Sequence, residues 1–238
     1  MIETVPETGS TNADLVARLQ AGEPLPEGYW LVADRQSAGR GRQGREWTDA
    51  MGNLMASTVV RLTGHEQNSA CLSFLAGLAV YETVLPRLSL PGDLQLKWPN
   101  DLLLSGAKLA GILLEREGNA VVVGIGVNLA NSPRIAGRAT VSLGQFGPPP
   151  DRDDFAQDLA SAFAAELRCW RTHGLESVLA RWRAAAHPEG TPLTVHTQTG
   201  EPISGTFDGL APDGALQLLL ANGLRRVIHA GDVVLGKG

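Results

Sequence analysis

The densest chemistry in this chain lies in the run Gly39-Arg40-Gly41-Arg42-Gln43-Gly44-Arg45-Glu46-Trp47. Glycine lets a backbone turn tightly and approach a ligand closely. Arginine presents a planar fork of donors suited to phosphate and carboxylate, and tryptophan offers a flat face to a planar ring. Such a loop could wrap an anionic nucleotide, with phosphate at its middle and a base at its end. A solvated basic turn has the same composition. The chain as a whole is acidic, with a formal net charge of −5, so the cationic density of this run opposes its background.

A second stretch lies some fifty residues on. Lys97-Trp98-Pro99-Asn100-Asp101 is followed by Leu102 to Leu104, a Ser105-Gly106-Ala107 turn, and Lys108-Leu109-Ala110-Gly111-Ile112-Leu113-Leu114-Glu115. The pattern is a β-hairpin with a lysine near each end. Pro99 holds Trp98 extended, and Asn100 can close an Asx turn. Two cations and an acid on one hairpin could meet a phosphate and its magnesium; they are equally the polar positions of an amphipathic hairpin. Val121 to Asn128 is an apolar run interrupted by Gly124 and Gly126. Glycine inside a strand often marks close approach by a ligand or another backbone. The spacing is not that of a dinucleotide-binding turn, and no helix opens after it. Asn128 could bond a ligand or simply end the strand.

The elements that must position these residues read in order. Ser10-Thr11-Asn12 opens a first helix, with Thr11 and Asp14 spaced as a capping box, Leu15, Val16 and Leu19 on one face, and Gly22 as the stop. Ser10 and Thr11 need do no more than cap it. Tyr29 to Ala33 and Leu54 to Leu62 read as strands on either side of the Arg/Gly loop. Gln67 to Leu88 keeps a helical period, ended with the help of Pro86 and Pro91, and Leu94 to Trp98 is a short strand. Asp153 to Thr172 and Leu175 to Ala186 form two amphipathic helices meeting near His173-Gly174. After His187-Pro188-Glu189-Gly190 the chain changes to short β-like runs. These are punctuated by Thr199-Gly200, Pro212-Asp213-Gly214 and Asn222-Gly223, the last a strong hairpin signal. The expectation is a main domain over residues 1–188 and a small β-barrel over 189–238 docked on it.

With 238 residues, 43% hydrophobic and 19% charged, the chain has the balance of a soluble globular protein. A sequence pI near 5.5 argues against a general nucleic-acid binder. Cys71 and Cys169 sit in apolar sequence without CxxC spacing, which excludes a disulfide framework and points to a reducing cytoplasm. The five histidines share no spacing, the N-terminus has no secretion signal, and no apolar stretch reads as a membrane span.

Taken together, Ser10-Thr11-Asn12, the Gly39–Trp47 loop, Lys97–Asp101 with Lys108–Leu113, and Gly124-Ile125-Gly126-Val127-Asn128 resemble the bacterial biotin–protein ligases, in the expected order and across essentially the whole chain. The fold this implies is α/β (α+β): a mixed β-sheet with helices mainly on one face, the class II synthetase-like biotin/lipoate ligase fold, plus a C-terminal SH3-like β-barrel. Some family members carry an N-terminal helix-turn-helix that represses biotin genes. Here the catalytic motifs begin almost at Met1, so the resemblance implies a ligase without DNA binding and without a membrane role. Family members are often dimers through the sheet, which nothing in this sequence tests. Ala139-Thr140-Val141-Ser142-Leu143 departs from the family's contiguous Ala-Thr-Ser-Leu, with only a local change expected.

The implied reaction joins biotin to ATP as biotinyl-5′-AMP, with Mg2+, and then passes biotin to a lysine of a biotin carboxyl carrier domain. Carried onto this sequence, Lys108 lies between the biotin carboxylate and the α-phosphate, and Arg42 and Arg45 hold phosphates, Arg42 also retaining the adenylate. Trp47 packs on adenine. Ser10, Thr11 and Gln36, with Asn12 beside them, meet the biotin ureido ring; Gly39, Arg40, Gly111 and Leu113 line its pocket. Lys97, Asn100 and Asp101 face the triphosphate and magnesium, with Asp101 the one candidate metal ligand, and Asn128 contacts the nucleotide. The rivals are a lipoate or octanoate ligase of the same fold, a non-catalytic biotin-binding regulator, and a nucleic-acid-binding protein built on the Arg/Gly loop.

Overall fold

The computed structural model describes residues 1–48, 50–64, 69–89, 93–197 and 200–236. A seven-stranded sheet organises the first four-fifths of the chain. Its strands are β1 (Ile2–Val5), β2 (Trp30–Ala33), β3 (Leu54–Arg61), β4 (Leu94–Lys97), β5 (Asp101–Leu104), β6 (Ala107–Glu117) and β7 (Ala120–Val127). Their spatial order is β1-β2-β3-β7-β6-β5-β4. Only β1 and β2 run parallel; the other neighbours are antiparallel. The mixed sheet expected from the resemblance is therefore present. The lysine-bearing stretch is a three-stranded meander rather than one hairpin, because Lys97 on β4 pairs directly with Asp101 on β5. β1 has no apolar alternation to announce it and exists through its pairing with β2.

Period-2 alternation on β7 sorts the two faces. Val121, Val123, Ile125 and Val127 join the large core with helices α2 (Leu72–Val84) and α3 (Arg152–Ala185), while Ala120 and Val122 join a smaller cluster with Leu15 of helix α1 (Thr11–Gln20). Gly124 and Gly126 continue the α1 face beyond the end of that helix. α1 is capped by Ser10, whose side chain accepts from Ala13 N at 3.4 Å. The expected Thr11–Asp14 capping box is not formed: Thr11 turns inward, and Asp14 instead accepts from Thr8. Gly22, at φ 79°, ends the helix as expected. Its N–H donates to Leu19 O at 3.0 Å, and Glu23 N–H reaches back to Arg18 O at 2.9 Å.

The second helix is shorter than its apolar period, flanked by 3-10 turns at Ser69–Cys71 and Leu85–Arg87; the expected start at Gln67 and the role of Pro91 lie outside the described residues. Ser69–Arg87 is nonetheless long and apolar enough to cross a membrane by length and composition, contrary to the sequence reading. Ten of the thirteen α2 residues are buried, which makes it a core helix clamped between the sheet and α3. α3 carries the expected break at Gly174, φ 79°. Cys169 on it lies 3.6 Å from Arg181 Nη2 and 3.8 Å from His173 Nδ1, not in apolar surroundings.

The C-terminal strands β8 (Pro192–His196), β9 (Ile203–Leu210), β10 (Leu216–Leu219), β11 (Arg225–Ile228) and β12 (Asp232–Leu235) form an antiparallel sheet in the order β11-β10-β9-β8-β12, the SH3-like unit. Gly223, at φ 81°, closes the β10–β11 hairpin; Thr199 lies outside the described residues. This sheet shares the main core, since Leu193, Val195, Phe207 and Leu218 belong to the same buried cluster as α2. Trp98 Nε1 donates across the junction to Gly214 O at 3.1 Å. A Cβ on Gly214 would lie 2.5 Å from Phe74, so no other residue fits there.

His187 sits in this junction, 3% exposed, edge-on to Phe207 at 5.0 Å, with no hydrogen-bond partner on either ring nitrogen among the described residues. Burial, aided by the nearby Lys97, lowers its pKa from 6.5 to about 4. A depressed histidine favours the folded state above the unfolded pKa and loses that contribution as pH falls from 6.5 toward 4. Unfolding in urea should therefore show about 2 kcal/mol less stability at pH 5 than at pH 7.5 from this group. His187→Leu should remove that share of the pH dependence; an unchanged pH profile in the variant would refute it.

Candidate functional site

Two connected clefts open on the α1 face of the sheet. The register builds the floor of the first: Gly111 on β6 pairs with Gly126 on β7, which pairs with Met55 on β3, and Leu113 pairs with Gly124, which pairs with Ser57. Three glycines in two adjacent rows leave room for what lies above. A Cβ on Gly126 would lie 2.3 Å from the Trp47 ring, and one on Gly124 would lie 2.3 Å from Asn12 Oδ1. The glycines thus mark close approach, as their position inside a strand suggested, and the approaching groups are side chains of this chain. The first cleft, of about 460 Å3, is lined by the helix-opening residues Ser10, Thr11 and Asn12 together with Gln36, Arg40, Arg42, Trp47, Lys108, Gly111 and Leu113. Gly39 is not on its wall. It lets the loop close on itself instead: its Cβ would stand 2.5 Å from Trp47 O.

One end of this cleft is polar and buried. Gln36 Oε1 accepts from Thr11 N at 2.8 Å and lies 3.0 Å from Thr11 Oγ1; Thr11 Oγ1 lies 2.7 Å from Ser57 Oγ, and Ser57 donates to Asn12 Oδ1 at 2.6 Å. All four side chains are at most 8% exposed. Buried polar groups need partners, and a cavity rimmed by several of them suits a ligand with a hydrogen-bonding edge. Ser57 was not singled out from the sequence; on a Thr/Val-rich strand nothing distinguishes it, and only its pairing with Gly124 puts it on the floor.

The second cleft, about 1440 Å3, is lined by Arg42, Arg45, Trp47, Lys97, Asn100, Asp101, Lys108, Asn128, Arg138 and, from the C-terminal sheet, Asp232 to Leu235. Lys108, Arg42, Trp47 and Asn100 line both clefts. Asp101 anchors the shared wall: Lys108 Nζ stands 2.6 Å from one carboxylate oxygen and Lys97 Nζ 3.3 Å from the other. Burial alone would raise the Asp101 pKa, but Lys108 and then Lys97 outweigh it and hold the carboxyl below its ordinary value. Arg42 donates to Asn100 Oδ1 at 3.0 Å and, among the described residues, has no carboxylate within salt-bridge distance. Its guanidinium pKa is lowered by burial, with Asp101 partly opposing. Burial and then Arg138 lower that of Arg45, which pairs with Asp232.

Two expectations change here, and a third residue takes a further partner. Asn100 forms no Asx turn; besides accepting from Arg42 it donates to Ile112 O at 2.7 Å, which fixes the meander. Asp101 does not suit a magnesium ion, because both its oxygens face ammonium groups, and among the described residues no three His, Cys, Asp or Glu side chains gather as a metal site. Asn128 is 2% exposed and donates to Val141 O at 3.0 Å. That bond ties the 139–143 segment, which brackets the Lys108 backbone through Lys108 N–H to Ala139 O and Val141 N–H to Lys108 O. Asn128 Oδ1 is buried without a partner among the described residues.

This arrangement has close counterparts. Residues 8–130 match the biotin/lipoate A/B protein ligase family and residues 192–236 the biotin protein ligase C-terminal domain. A biotin–[acetyl-CoA-carboxylase] ligase of Paracoccus denitrificans is 40% identical over 96% of this chain and 98% of that protein, and one of Mycobacterium tuberculosis is 37% identical over 98% and 88%. The structure of biotin protein ligase from Aquifex aeolicus in complex with biotin and ATP superposes with a TM-score of 0.85 at 25% identity, covering 100% of this chain and 99% of that one. With paired clefts on a glycine floor, and a likeness that runs end to end, this chain belongs to the biotin/lipoate A/B protein ligase family.

Proposed function

We infer that the protein is a biotin–protein ligase: it condenses biotin with ATP and then transfers biotin to a lysine of a biotin carboxyl carrier domain. The observation that carries this reading is a half-buried guanidinium, Arg42, with no carboxylate within salt-bridge distance among the described residues, standing with Lys108 on the wall shared by a polar-ended cleft and a cationic one. A partly desolvated cation without a carboxylate partner favours the arrival of an anion. The polar end of the first cleft suits the ureido edge of biotin, and an apolar lipoyl or octanoyl chain would leave its buried polar groups unmatched.

In the first step a biotin carboxylate oxygen attacks the α-phosphorus of ATP, the bond to the β-phosphate oxygen breaks, and pyrophosphate leaves. Two anions meet: at roughly 4 Å, like unit charges repel by about 4 kcal/mol at an effective dielectric near 20. Lys108, held by Asp101 on that shared wall, offsets this repulsion without having to reorganise. Arg42 and Arg45 face the phosphates, Lys97 and Asn100 their far end, and Asn128 the nucleotide. Trp47, 5.9 Å from the Lys108 ammonium by its ring centroid, covers the junction and offers its outer face to adenine. A magnesium ion would be held by the triphosphate oxygens and would neutralise part of their charge. In the second step the carrier lysine amine attacks the acyl carbon of the mixed anhydride, AMP leaves, and the amine loses its proton. No side chain of this protein serves as a nucleophile. In this reading residues 1–188 are the catalytic unit and residues 189–238 a barrel that walls one side of the nucleotide cleft. Two cysteines without CxxC spacing, Cys71 and Cys169, suit a reducing cytoplasm.

The direct test is pyrophosphate release from ATP, which should depend on biotin and be absent with lipoate or octanoate; release with either of those acids and none with biotin would overturn the reading. Lys108→Ala should slow adenylate formation on the order of a hundred- to a thousandfold in single-turnover assays, while circular dichroism shows a folded protein. Normal turnover in that variant would remove Lys108 from the chemistry. Arg42→Ala should release adenylate faster and label bystander amines without selectivity; a release rate equal to that of the parent would dismiss its retaining role.

A further inference from the structure

We propose that Glu115, which lies outside both clefts, is a positioning residue that sets the direction of the hydrogen bonds at the polar end of the first cleft, so that Thr11 Oγ1 and Gln36 Oε1 meet the ligand as acceptors. The proposal deepens the biotin reading above and rests on it.

Glu115 shares a face of β6 with Gly111 and Leu113. It accepts from Asn12 Nδ2 at 2.8 Å and lies 3.6 Å from Arg40 Nη1. A carboxylate paired with arginine has no proton to give, so the Asn12 amide must turn its NH2 toward Glu115 and its Oδ1 toward Ser57. An amide oxygen only accepts, so the single Ser57 proton is committed to Asn12 Oδ1, 2.6 Å away. The 2.7 Å contact between Ser57 Oγ and Thr11 Oγ1 then needs its proton from Thr11. With that proton used, Thr11 has none for Gln36 Oε1, although the two oxygens are 3.0 Å apart.

Gln36 is itself fixed, because its Oε1 takes the Thr11 backbone N–H at 2.8 Å. The relay therefore ends in two buried oxygens side by side, each with a lone pair open to a further donor. A ring N–H entering beside them supplies it, and the Gln36 NH2 remains to donate to the neighbouring carbonyl. This is the donor and acceptor pattern of a cyclic urea. Gly124 makes the relay possible, since any side chain there would collide with Asn12. Remove the carboxylate and the Asn12 amide can flip, the hydroxyls can reverse, and Thr11 can present a proton instead.

The readout is selectivity. The probes are biotin and an isosteric cyclic carbamate in which one ureido N–H is replaced by a ring oxygen, titrated calorimetrically into the full chain. The parent should bind biotin at least about a hundredfold more tightly than the carbamate, because an acceptor would face acceptors. In Glu115→Ala biotin should weaken about tenfold and the carbamate much less, shrinking the ratio, with ATP affinity unchanged. Equal weakening of both ligands would mean a merely structural role and would overturn the proposal, as would an unchanged ratio. Should Glu115→Ala fail to fold, a second pair decides. Asn12→Asp sets two carboxylates against each other and should lose biotin binding. The double variant Asn12→Asp/Glu115→Gln restores one donor–acceptor contact while Ser57 still donates to residue 12, and should recover affinity to within about threefold; no recovery would overturn the proposal. Failure of the parent to bind biotin at all would remove the functional reading and this inference together, whereas binding with insensitive variants removes only the inference.

Discussion

Asp101 holds two ammonium groups on one partly buried carboxylate, and the rest of the site depends on that arrangement. Its side chain is 13% exposed, yet Lys108 and Lys97 keep its pKa below the usual carboxylate range. Charges gathered in this way are positioned before any substrate enters, so little reorganisation is left for the reaction itself. The geometry comes from β-sheet register: Lys97 and Asp101 are direct partners across β4 and β5, and Lys108 returns on β6 beside them. The 139–143 segment then pins the Lys108 backbone from the other side.

The glycine floor is the second constraint, and it works by omission. Gly111, Gly124 and Gly126 are adjacent in space because β6 and β7 pair in register, not because of their spacing along the chain. Where they carry no side chain, Trp47 and Asn12 descend onto the sheet. Elsewhere on the same face of β7, Val122 packs under α1. One strand thus serves a hydrophobic core on one face and, on the other, first a core and then a cleft.

The C-terminal sheet is tied into this frame at several points. Trp98 follows the lysine of β4 and reaches Gly214; Asp232 on β12 meets Arg45 of the Arg/Gly loop. The same turn that carries Asn100 and Asp101 therefore also carries the docking residue for the second sheet. Buried His187, kept neutral by desolvation, occupies the seam between the two sheets.

Much of this was legible in the amino-acid sequence. Amphipathic periods disclosed α1 and the two halves of α3, Asn222-Gly223 disclosed the last hairpin, and the Arg/Gly loop and the lysine stretch disclosed where the charge would gather. These are local signals, in which a side chain's type already limits its backbone or its chemistry. β1 was not legible, because a short strand with polar alternation exists only through its partner. Ser57, Glu115 and Asp232 were equally silent, since an ordinary serine, glutamate or aspartate on a strand is distinguished only by what stands opposite. The capping of α1 by Ser10 rather than Thr11, and the engagement of Asp101 with lysines rather than with a metal, likewise required a third dimension. Composition and spacing alone determined the elements and the kinds of group available for chemistry. Which groups touch was decided by strand register and by the packing of α1 and the loop over bare glycines, because hydrogen bonds and ion pairs act over a few ångströms between residues more than a hundred positions apart in the chain.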